Sequence, residues 1–181
     1  YLNFWLTGQR VAEYGDASGT GLLDVRSRQW DRRTVELIDD SGRLWSALPP
    51  LLSAGECIGT LRPEAAAALG LSPSVRVATG GGDNMMSAIG SGPIAPGVLT
   101  LSLGTSRTLF AWSPDPLASP SAEVAGFCSR DNGGLPMICT MDVPQATSTV
   151  QTLLPDDLAG FHRLLQQAAP GAGGVAVLTF H

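Results

Sequence analysis

The sequence predicts an α/β fold in which helices and short strands alternate along 181 residues. Apolar runs with helical spacing, capped by glycine, proline or aspartate, alternate with short β-branched runs bounded by turn-forming residues. A hydrophobic content of 44% is sufficient to build a buried core. The length fits one domain or parts of two.

Three helix candidates in the first half each carry a recognisable end signal. The run YLNFWLT is followed by Gly8, which suits a left-handed C-cap. Asp31 is a candidate N-cap for the helix RRTVELI. The segment RPEAAAALG predicts a helix with proline at its first position and glycine as its C-cap. Between the first two, turn-forming residues 15–21 predict an irregular surface stretch.

A strand candidate, SVRVATG, leads directly into the glycines at 80–82, Asp83 and a helix with Met85, Met86 and Ile89 as apolar members. Glycines leave no side chain to block an approaching ligand, and the N–H groups at a helix start stabilise a carboxylate. The functional interpretation is a ligand-binding surface without side chains, from which one carboxylate projects as a base. In the alternative, Asp83 only caps the helix and the glycines only turn the chain.

Beyond this helix the pattern changes. Residues 90–97, rich in glycine and proline, predict a hinge. GVLTLSL and RTLFAW predict a β-hairpin around GTS, and EVAGFCS and LPMICTM predict two more strands. DLAGFHRLLQQAA predicts an amphipathic helix. Residues 175–180 predict a final buried strand.

The hairpin tip is a second candidate site. Gly104, Thr105 and Ser106 would offer backbone N–H groups and two hydroxyls to an anion. An ordinary polar turn is the alternative interpretation. All eleven basic residues are arginine, which excludes a Walker-type phosphate loop because that loop requires lysine.

Charge and cysteine usage exclude several classes of protein. A net charge of −5 without a basic block argues against nucleic-acid binding. No apolar run is long enough to span a membrane and no leader is visible, which predicts a cytoplasmic protein. The spacing of Cys57, Cys128 and Cys139 predicts no metal cage or disulfide framework, and His162 and His181 complete no ligand cluster. We expect three partly buried thiols in a reducing compartment.

Several motifs occur in a defined order along the chain. They are YLNFWLTG, EYGDASGTGLLDV, GGGDNMMSAIGSG, GVLTLSLGTSRTLFA, AGFCS, ICTM and GAGGVAVLTF. Together they resemble the central part of the FGGY family of carbohydrate kinases, in particular its xylulose-phosphorylating members. The resemblance covers essentially the whole chain, and its most specific pieces are GDASGTGLLD and the spacing from GGGDN to SLGTS.

The resemblance implies parts of two actin-like ATPase domains of the ribonuclease H-like type. Each would have a mixed sheet flanked by helices, with sugar and ATP in the cleft between the domains. Residues 1–93 would be the C-terminal part of the first, sugar-binding domain. Residues 94–181 would be the N-terminal part of the second, ATP-binding domain.

The resemblance also implies roles for individual residues. Asp83 would be the general base, and Asp83 and Asn84 would bind the sugar. Gly104, Thr105 and Ser106 would hold the phosphates of ATP. ATP and Mg²⁺ would be the cofactors, with no metal ligand assigned to these 181 residues, and a homodimer is expected. Arg107 stands where the family has a small residue, and we expect it to extend into solvent rather than touch phosphate.

The implied activity of the full-length protein is the phosphorylation of D-xylulose to D-xylulose 5-phosphate. Kinases of ribulose, glycerol or gluconate, and a non-catalytic sugar-binding or structural fragment, are the alternatives. The family's N-terminal phosphate loop and C-terminal adenosine-binding segment have no counterpart in the sequence. We therefore expect the chain by itself to be inactive.

Overall fold

The chain divides into two compact units. The computed structural model describes residues 1–91, 95–103, 106–117, 119, 123–130, 133–141, 143–153 and 157–175. The first unit contains Tyr1–Leu99 and Phe110–Met137, and the second contains Thr100–Leu109 and Ile138–His181. The domain boundary predicted after residue 93 and the hinge around it include residues 92–94, which lie outside the described residues. Both stay predictions.

The first unit alternates short helices with short strands, as the predicted α/β class requires. Its helices are α1 (Leu2–Thr7), α2 (Tyr14–Ser18), α3 (Arg32–Ile38), α4 (Arg43–Ala47), α5 (Pro63–Leu69) and α6 (Asp83–Gly90). Its two-stranded sheets combine β1 (Ala12–Glu13), β2 (Leu23–Asp24), β3 (Gln29–Trp30), β4 (Leu51–Leu52), β5 (Cys57–Thr60) and β6 (Arg76–Ala78). β1 pairs with β4 in parallel, whereas β2–β3 and β5–β6 are antiparallel.

The predicted end signals explain where the helices begin and end. Gly8 adopts a left-handed conformation with φ 79° after α1, and Gly70 does so with φ 66° after α5. The Asp31 carboxylate accepts a hydrogen bond from the Arg33 N–H at the start of α3. Pro63 occupies the first turn of α5, where its missing N–H is not needed. The three predicted helices are therefore confirmed.

Two clusters of buried side chains form the core of the first unit. One joins α6 to later strands and contains Met85, Ala88, Phe110, Leu135 and Met137, with Phe127 packed against it. The other surrounds α2 and contains Ala17, Leu23, Val25 and Cys128, bordered by Ala12, Tyr14, Trp30 and Leu51. These clusters bury the side chains next to the start of α2 and the start of α6.

The later elements include one larger sheet. Strands β7 (Leu99–Leu103), β8 (Ser106–Ala111) and β9 (Met137–Met141) lie in the order β7-β8-β9. The adjacent β7 and β8 confirm the predicted strand pair. Helices α7 (Val143–Leu153) and α8 (Leu158–Gln167) follow, and α8 starts where the Asp157 carboxylate accepts the Gly160 N–H at 2.8 Å. Of the predicted final strand at 175–180, residues 176–180 lie outside the described residues.

The strand predicted for EVAGFCS is wrong. This stretch makes only two isolated bridges in the described part of the chain, Ala125–Met137 and Cys128–Gly134. The backbone of Leu117 also lies against this stretch, at Gly126.

The apolar residues that the sequence places in α6 differ in their exposure. Met85 is buried, and so is Ala88 three residues further on. Met86 and Ile89 are each 37% exposed. The helix therefore packs through a narrow Met85–Ala88 stripe, because residues three apart share one face.

The free cysteines differ from the expectation of three partly buried thiols. Cys57 and Cys139 are exposed, and only Cys128 is buried. The Arg76 Nε–H donates to the Cys57 sulfur at 3.4 Å, and this hydrogen bond lowers the pKa of the Cys57 thiol. Burial raises the pKa of the Cys128 thiol. The two thiols should therefore react at different rates.

We expect iodoacetamide to alkylate Cys57 in a Cys139→Ser background while Cys128 stays protected until unfolding. Arg76→Gln should slow the reaction at pH 7 by about 3-fold, because less Cys57 is thiolate without the guanidinium. The difference should vanish as the pH rises above the ordinary thiol pKa, where both forms are thiolate. Mass spectrometry of quenched samples gives the rates. Equal rates at pH 7 would contradict the role of Arg76.

Candidate active site

Asp83 is the first residue of α6, directly after the glycine loop formed by residues 80–82. The loop begins after β6 and Thr79, so the predicted order of strand, glycines, aspartate and helix is confirmed. Gly80 has φ 79°, a conformation that side chains rarely adopt. Gly82 is the N-cap residue of α6.

Two methionine side chains lie against the glycine loop. A Cβ added to Gly81 would lie 2.5 Å from the Met86 Cε, and one added to Gly82 would lie 2.8 Å from the Met85 Sδ. The backbone of Asp16 is also within 3.6 Å of that added atom on Gly82. A side chain at Gly81 or Gly82 would therefore displace a methionine, whereas at Gly80 the backbone conformation favours glycine. The first turns of α2 and α6 lie against each other.

The Asp83 carboxylate is exposed at the start of its helix. Its Oδ1 accepts the Asn84 backbone N–H at 2.7 Å and the Asn84 side-chain amide at 3.2 Å. Among the described residues, no hydrogen bond reaches Oδ2. One carboxylate oxygen is thus oriented by its neighbour, while the other can accept a proton from a ligand hydroxyl. Asn84 itself is half-buried beside it.

The adjacent α2 begins at a buried carboxylate that the sequence analysis did not identify. Glu13 is 5% exposed, and its side chain accepts the N–H groups of Gly15 at 2.8 Å and Asp16 at 3.0 Å. It therefore caps α2 where the sequence predicted an irregular stretch. The signal was present in EYGDAS, since an acidic residue before a short run can cap a helix.

We expect Glu13→Ala to lower the free energy of unfolding by about 2 kcal/mol, because two buried N–H groups lose their acceptor. Urea denaturation monitored by circular dichroism measures the change. Glu36→Ala is the matched control. Its exposed carboxylate pairs with Arg32 at 2.7 Å, and its loss should change stability by less than about 0.5 kcal/mol. Equal effects of the two variants would contradict the capping role of Glu13.

Arg28 connects α2 to the segment 128–133. Its Nη2 donates to the carbonyls of Ser129 at 3.0 Å and Gly133 at 2.8 Å, and its guanidinium lies 5.2 Å from the centre of the Tyr14 ring. The Ser18 hydroxyl accepts the N–H of Cys128 at 3.0 Å. Contacts between residues more than 100 positions apart therefore hold one side of α2 in place. Arg28 and Ser129, for example, are 101 positions apart.

A groove of about 530 Å³ lies beside the glycine loop. Its polar lining comes from Asn3, Glu13, Asp16, Thr79 and the loop glycines. Asp83 is not among the lining residues.

The predicted phosphate-binding residues are only partly described. Gly104 and Thr105 lie outside the described residues, and Ser106 is the first residue of β8. The expectation that Arg107 extends into solvent is wrong. Its side chain is half-buried, and its Nη2 donates to the Thr147 hydroxyl of α7 at 3.1 Å.

The described part of the chain shows neither a cluster of three metal-ligating side chains nor a membrane-spanning helix. Within these residues, no group of three or more His, Cys, Asp or Glu side chains is placed to hold a metal ion. None of the helices described has both the length and the apolar character needed to cross a bilayer.

Comparison with known proteins identifies the family. Residues 1–90 match the model of the FGGY family of carbohydrate kinases, N-terminal domain. A xylulose kinase of Haemophilus influenzae is 44% identical over 99% of this chain and 36% of its own length. One of Streptomyces rubiginosus is 35% identical over 99% of this chain and 34% of its own length. The chain belongs to the FGGY family of carbohydrate kinases.

Solved structures agree with this assignment. A structure described as a xyloylose kinase from Brucella ovis is 33% identical, with a TM-score of 0.75 over 84% of this chain and 31% of that one. The xylulose kinase from Rhodospirillum rubrum is 26% identical, with a TM-score of 0.81 over 99% of this chain and 37% of that one. The predicted actin-like ATPase fold class is thereby confirmed. The chain spans about a third of the length of these relatives.

Proposed function

We propose that the complete protein transfers the γ-phosphoryl group of ATP to D-xylulose and forms D-xylulose 5-phosphate. The single observation that carries the proposal is the 44% identity to a xylulose kinase across 99% of the chain. The exposed Asp83 carboxylate at the start of α6 gives the reaction a proton acceptor. The complete protein is therefore a phosphotransferase with an alcohol acceptor.

Asp83 is the general base in this proposal. Its unengaged carboxylate oxygen accepts the proton of the terminal hydroxyl as that oxygen attacks the γ-phosphorus. The new bond joins the sugar oxygen to phosphorus, and the bond from phosphorus to the bridging oxygen breaks and leaves ADP. Phosphoryl transfer demands mainly positioning and charge stabilisation, so one oriented base is a sufficient contribution from α6.

Asn84 has two roles in the proposal. Its amide donates to Asp83 Oδ1 at 3.2 Å, which orients the carboxylate. Its amide carbonyl can accept a hydrogen bond from a neighbouring sugar hydroxyl. The glycine loop adds no side chains of its own next to these two residues.

Gly104, Thr105 and Ser106 bind the phosphates of ATP in the proposal. Successive backbone N–H groups and hydroxyls in a turn bind anions without a lysine. This assignment rests on the family resemblance of the SLGTS motif. Arg107, which donates to Thr147, is not assigned to the phosphates.

Mg²⁺ accompanies ATP in the proposed reaction, since phosphoryl transfer requires the phosphate charge to be neutralised. Among the described residues, no group of three or more His, Cys, Asp or Glu side chains is placed to hold a metal ion. We therefore assign no ligand of Mg²⁺ to them and no step to the ion.

The remaining parts of the proposal rest on the family resemblance alone. Residues 1–93 belong to the sugar-binding domain and residues 94–181 to the ATP-binding domain. The protein acts in the cytoplasm on small molecules, binds no nucleic acid or membrane, and forms a homodimer.

Other substrates remain the alternative, because the fold alone does not select the sugar. A gluconate kinase from Lactobacillus acidophilus shares the fold with a TM-score of 0.79 at 23% identity. A glycerol kinase from Plasmodium falciparum shares it with a TM-score of 0.73 at 20% identity.

Coupled measurement of ADP release by the complete protein tests the proposal. We expect kcat/KM to be highest for D-xylulose among D-xylulose, D-ribulose, glycerol and D-gluconate. Phosphorus NMR of the product should show a phosphate ester at the terminal carbon. A higher kcat/KM for another substrate would overturn the choice of sugar, and the absence of ADP release with all four would overturn the kinase activity. The 181-residue chain alone should show no turnover.

A further inference from the structure

Thr79 is the last residue before the glycine loop, four positions ahead of Asp83. It is only 7% exposed, although it is a polar residue next to the glycine loop. Buried polar groups are retained in folded proteins when their hydrogen bonds are made. The partners of Thr79 therefore show what the residue holds in place.

Thr79 bonds to both ends of one tight turn. Its hydroxyl donates to the Ser53 carbonyl at 2.8 Å, and its backbone N–H donates to the Glu56 carbonyl at 2.9 Å. The turn is itself closed, because the Glu56 N–H donates to the Ser53 carbonyl at 3.1 Å. Gly55 at the turn has φ 76°. One threonine thus attaches the loop to a rigid structure 26 residues earlier in the chain.

A third contact comes from α1. The Asn3 side-chain amide donates to the Thr79 carbonyl at 3.0 Å across 76 residues of sequence. The hydroxyl, N–H and carbonyl of Thr79 are therefore all engaged by separate groups. All of these groups lie in the first compact unit.

Such an attachment has a specific consequence for the glycine loop. Three consecutive glycines have more backbone freedom than any other residues, so they do not fix the direction in which α6 begins. The methionine side chains that lie against Gly81 and Gly82 restrict the backbone of the loop at the end next to α6. Thr79 limits it from the other end, at the junction with β6.

We propose that Thr79 is a positioning residue, which holds the glycine loop so that the Asp83 carboxylate meets the acceptor hydroxyl. This inference rests on the proposed function. Thr79 touches neither substrate nor ATP in it. Misplacement of a base by a fraction of an ångström lowers the rate of the chemical step, while binding sites elsewhere are unaffected. Loss of the hydroxyl should therefore lower kcat more than it raises KM for ATP.

Thr79→Val in the complete protein tests the inference, because valine keeps the shape and removes only the hydroxyl. We expect kcat with D-xylulose to fall about 10-fold, with KM for ATP changed by less than about 2-fold. Thr79→Ser restores the donor and should return kcat to within about 2-fold of the wild type. Asn3→Ala removes the α1 contact and should lower kcat in the same direction. Thr60→Val, on exposed strand β5, is the matched control and should leave kcat unchanged.

The outcomes separate the inference from the proposed function. If the wild type phosphorylates D-xylulose and Thr79→Val matches it in kcat, the positioning role is overturned while the kinase activity stands. A loss of kcat that Thr79→Ser does not restore would also overturn it, because the hydroxyl would not be responsible. A wild type without kinase activity would overturn the proposed function itself. Melting temperatures are compared so that kcat is measured only where each variant is folded.

Discussion

Asp83→Asn is expected to lower kcat of the complete protein by about 1000-fold, the size typical for loss of a positioned general base. Asparagine has nearly the same shape, and its carbonyl oxygen can still accept the N–H of Asn84. It cannot take the proton of the attacking hydroxyl. The loss should therefore appear in kcat, with KM for ATP little changed. Coupled measurement of ADP release with D-xylulose gives both constants.

Asp40→Asn is the matched control for this prediction. Asp40 is also an exposed carboxylate, and it lies after α3. Its replacement should leave kcat within about 2-fold of the wild type, since surface substitutions away from a site have small effects. A residual kcat for Asp83→Asn within about 10-fold of the wild type would exclude Asp83 as the base.

Gly126→Ala is expected to lower the free energy of unfolding by about 3 kcal/mol. A Cβ at this position would lie 2.2 Å from the backbone carbonyl oxygen of Leu117 and 3.4 Å from a methyl group of Val25. A backbone oxygen cannot turn away as a side chain can, so the chain itself must shift. The buried cluster around Val25 and Cys128 would then be disturbed.

Gly90→Ala provides the comparison for Gly126→Ala. Gly90 ends α6, and an added Cβ would meet no atom within 4 Å. Alanine favours the helix by up to about 1 kcal/mol relative to glycine. The control should therefore be neutral or slightly stabilising in urea denaturation. If both variants lose the same stability, the close approach of Leu117 to Gly126 is not what limits the position.

Local signals predicted much of the fold. The caps at Gly8, Asp31 and Gly70 depend on neighbouring residues alone, and each lies where the sequence placed it. The short α2 was missed although its cap, Glu13, directly precedes it; what the sequence could not show is that this carboxylate is buried. Capping by nearby side chains can be recognised from spacing, whereas burial cannot.

The sequence did not predict which distant segments pair with each other. β1 and β4 align in parallel with Ala12 opposite Leu51, and no periodicity in such two-residue strands specifies that register. The stretch EVAGFCS alternated like a strand, yet it makes only isolated bridges among the residues described. An alternating pattern alone does not ensure a continuous strand, because β-propensity depends on context.

In the candidate site, too, the local motif could be predicted and the long-range contacts could not. The order of glycines, Asp83 and helix could be predicted because it lies in one continuous motif. The contacts that hold this motif in place could not be predicted, since the hydrogen bond from Asn3 to Thr79 spans 76 residues. The role of Gly104, Thr105 and Ser106 in binding ATP stays a prediction.

The central claim is that the Asp83 carboxylate accepts the proton of the sugar hydroxyl that is phosphorylated. A crystal structure of the complete protein with bound D-xylulose tests it most directly. We predict an Asp83 carboxylate oxygen at about 2.6–3.2 Å from the terminal hydroxyl of the ketose, the range required for direct proton transfer. A structure in which that hydroxyl contacts a different carboxylate, with Asp83 turned away from the sugar, would contradict the claim.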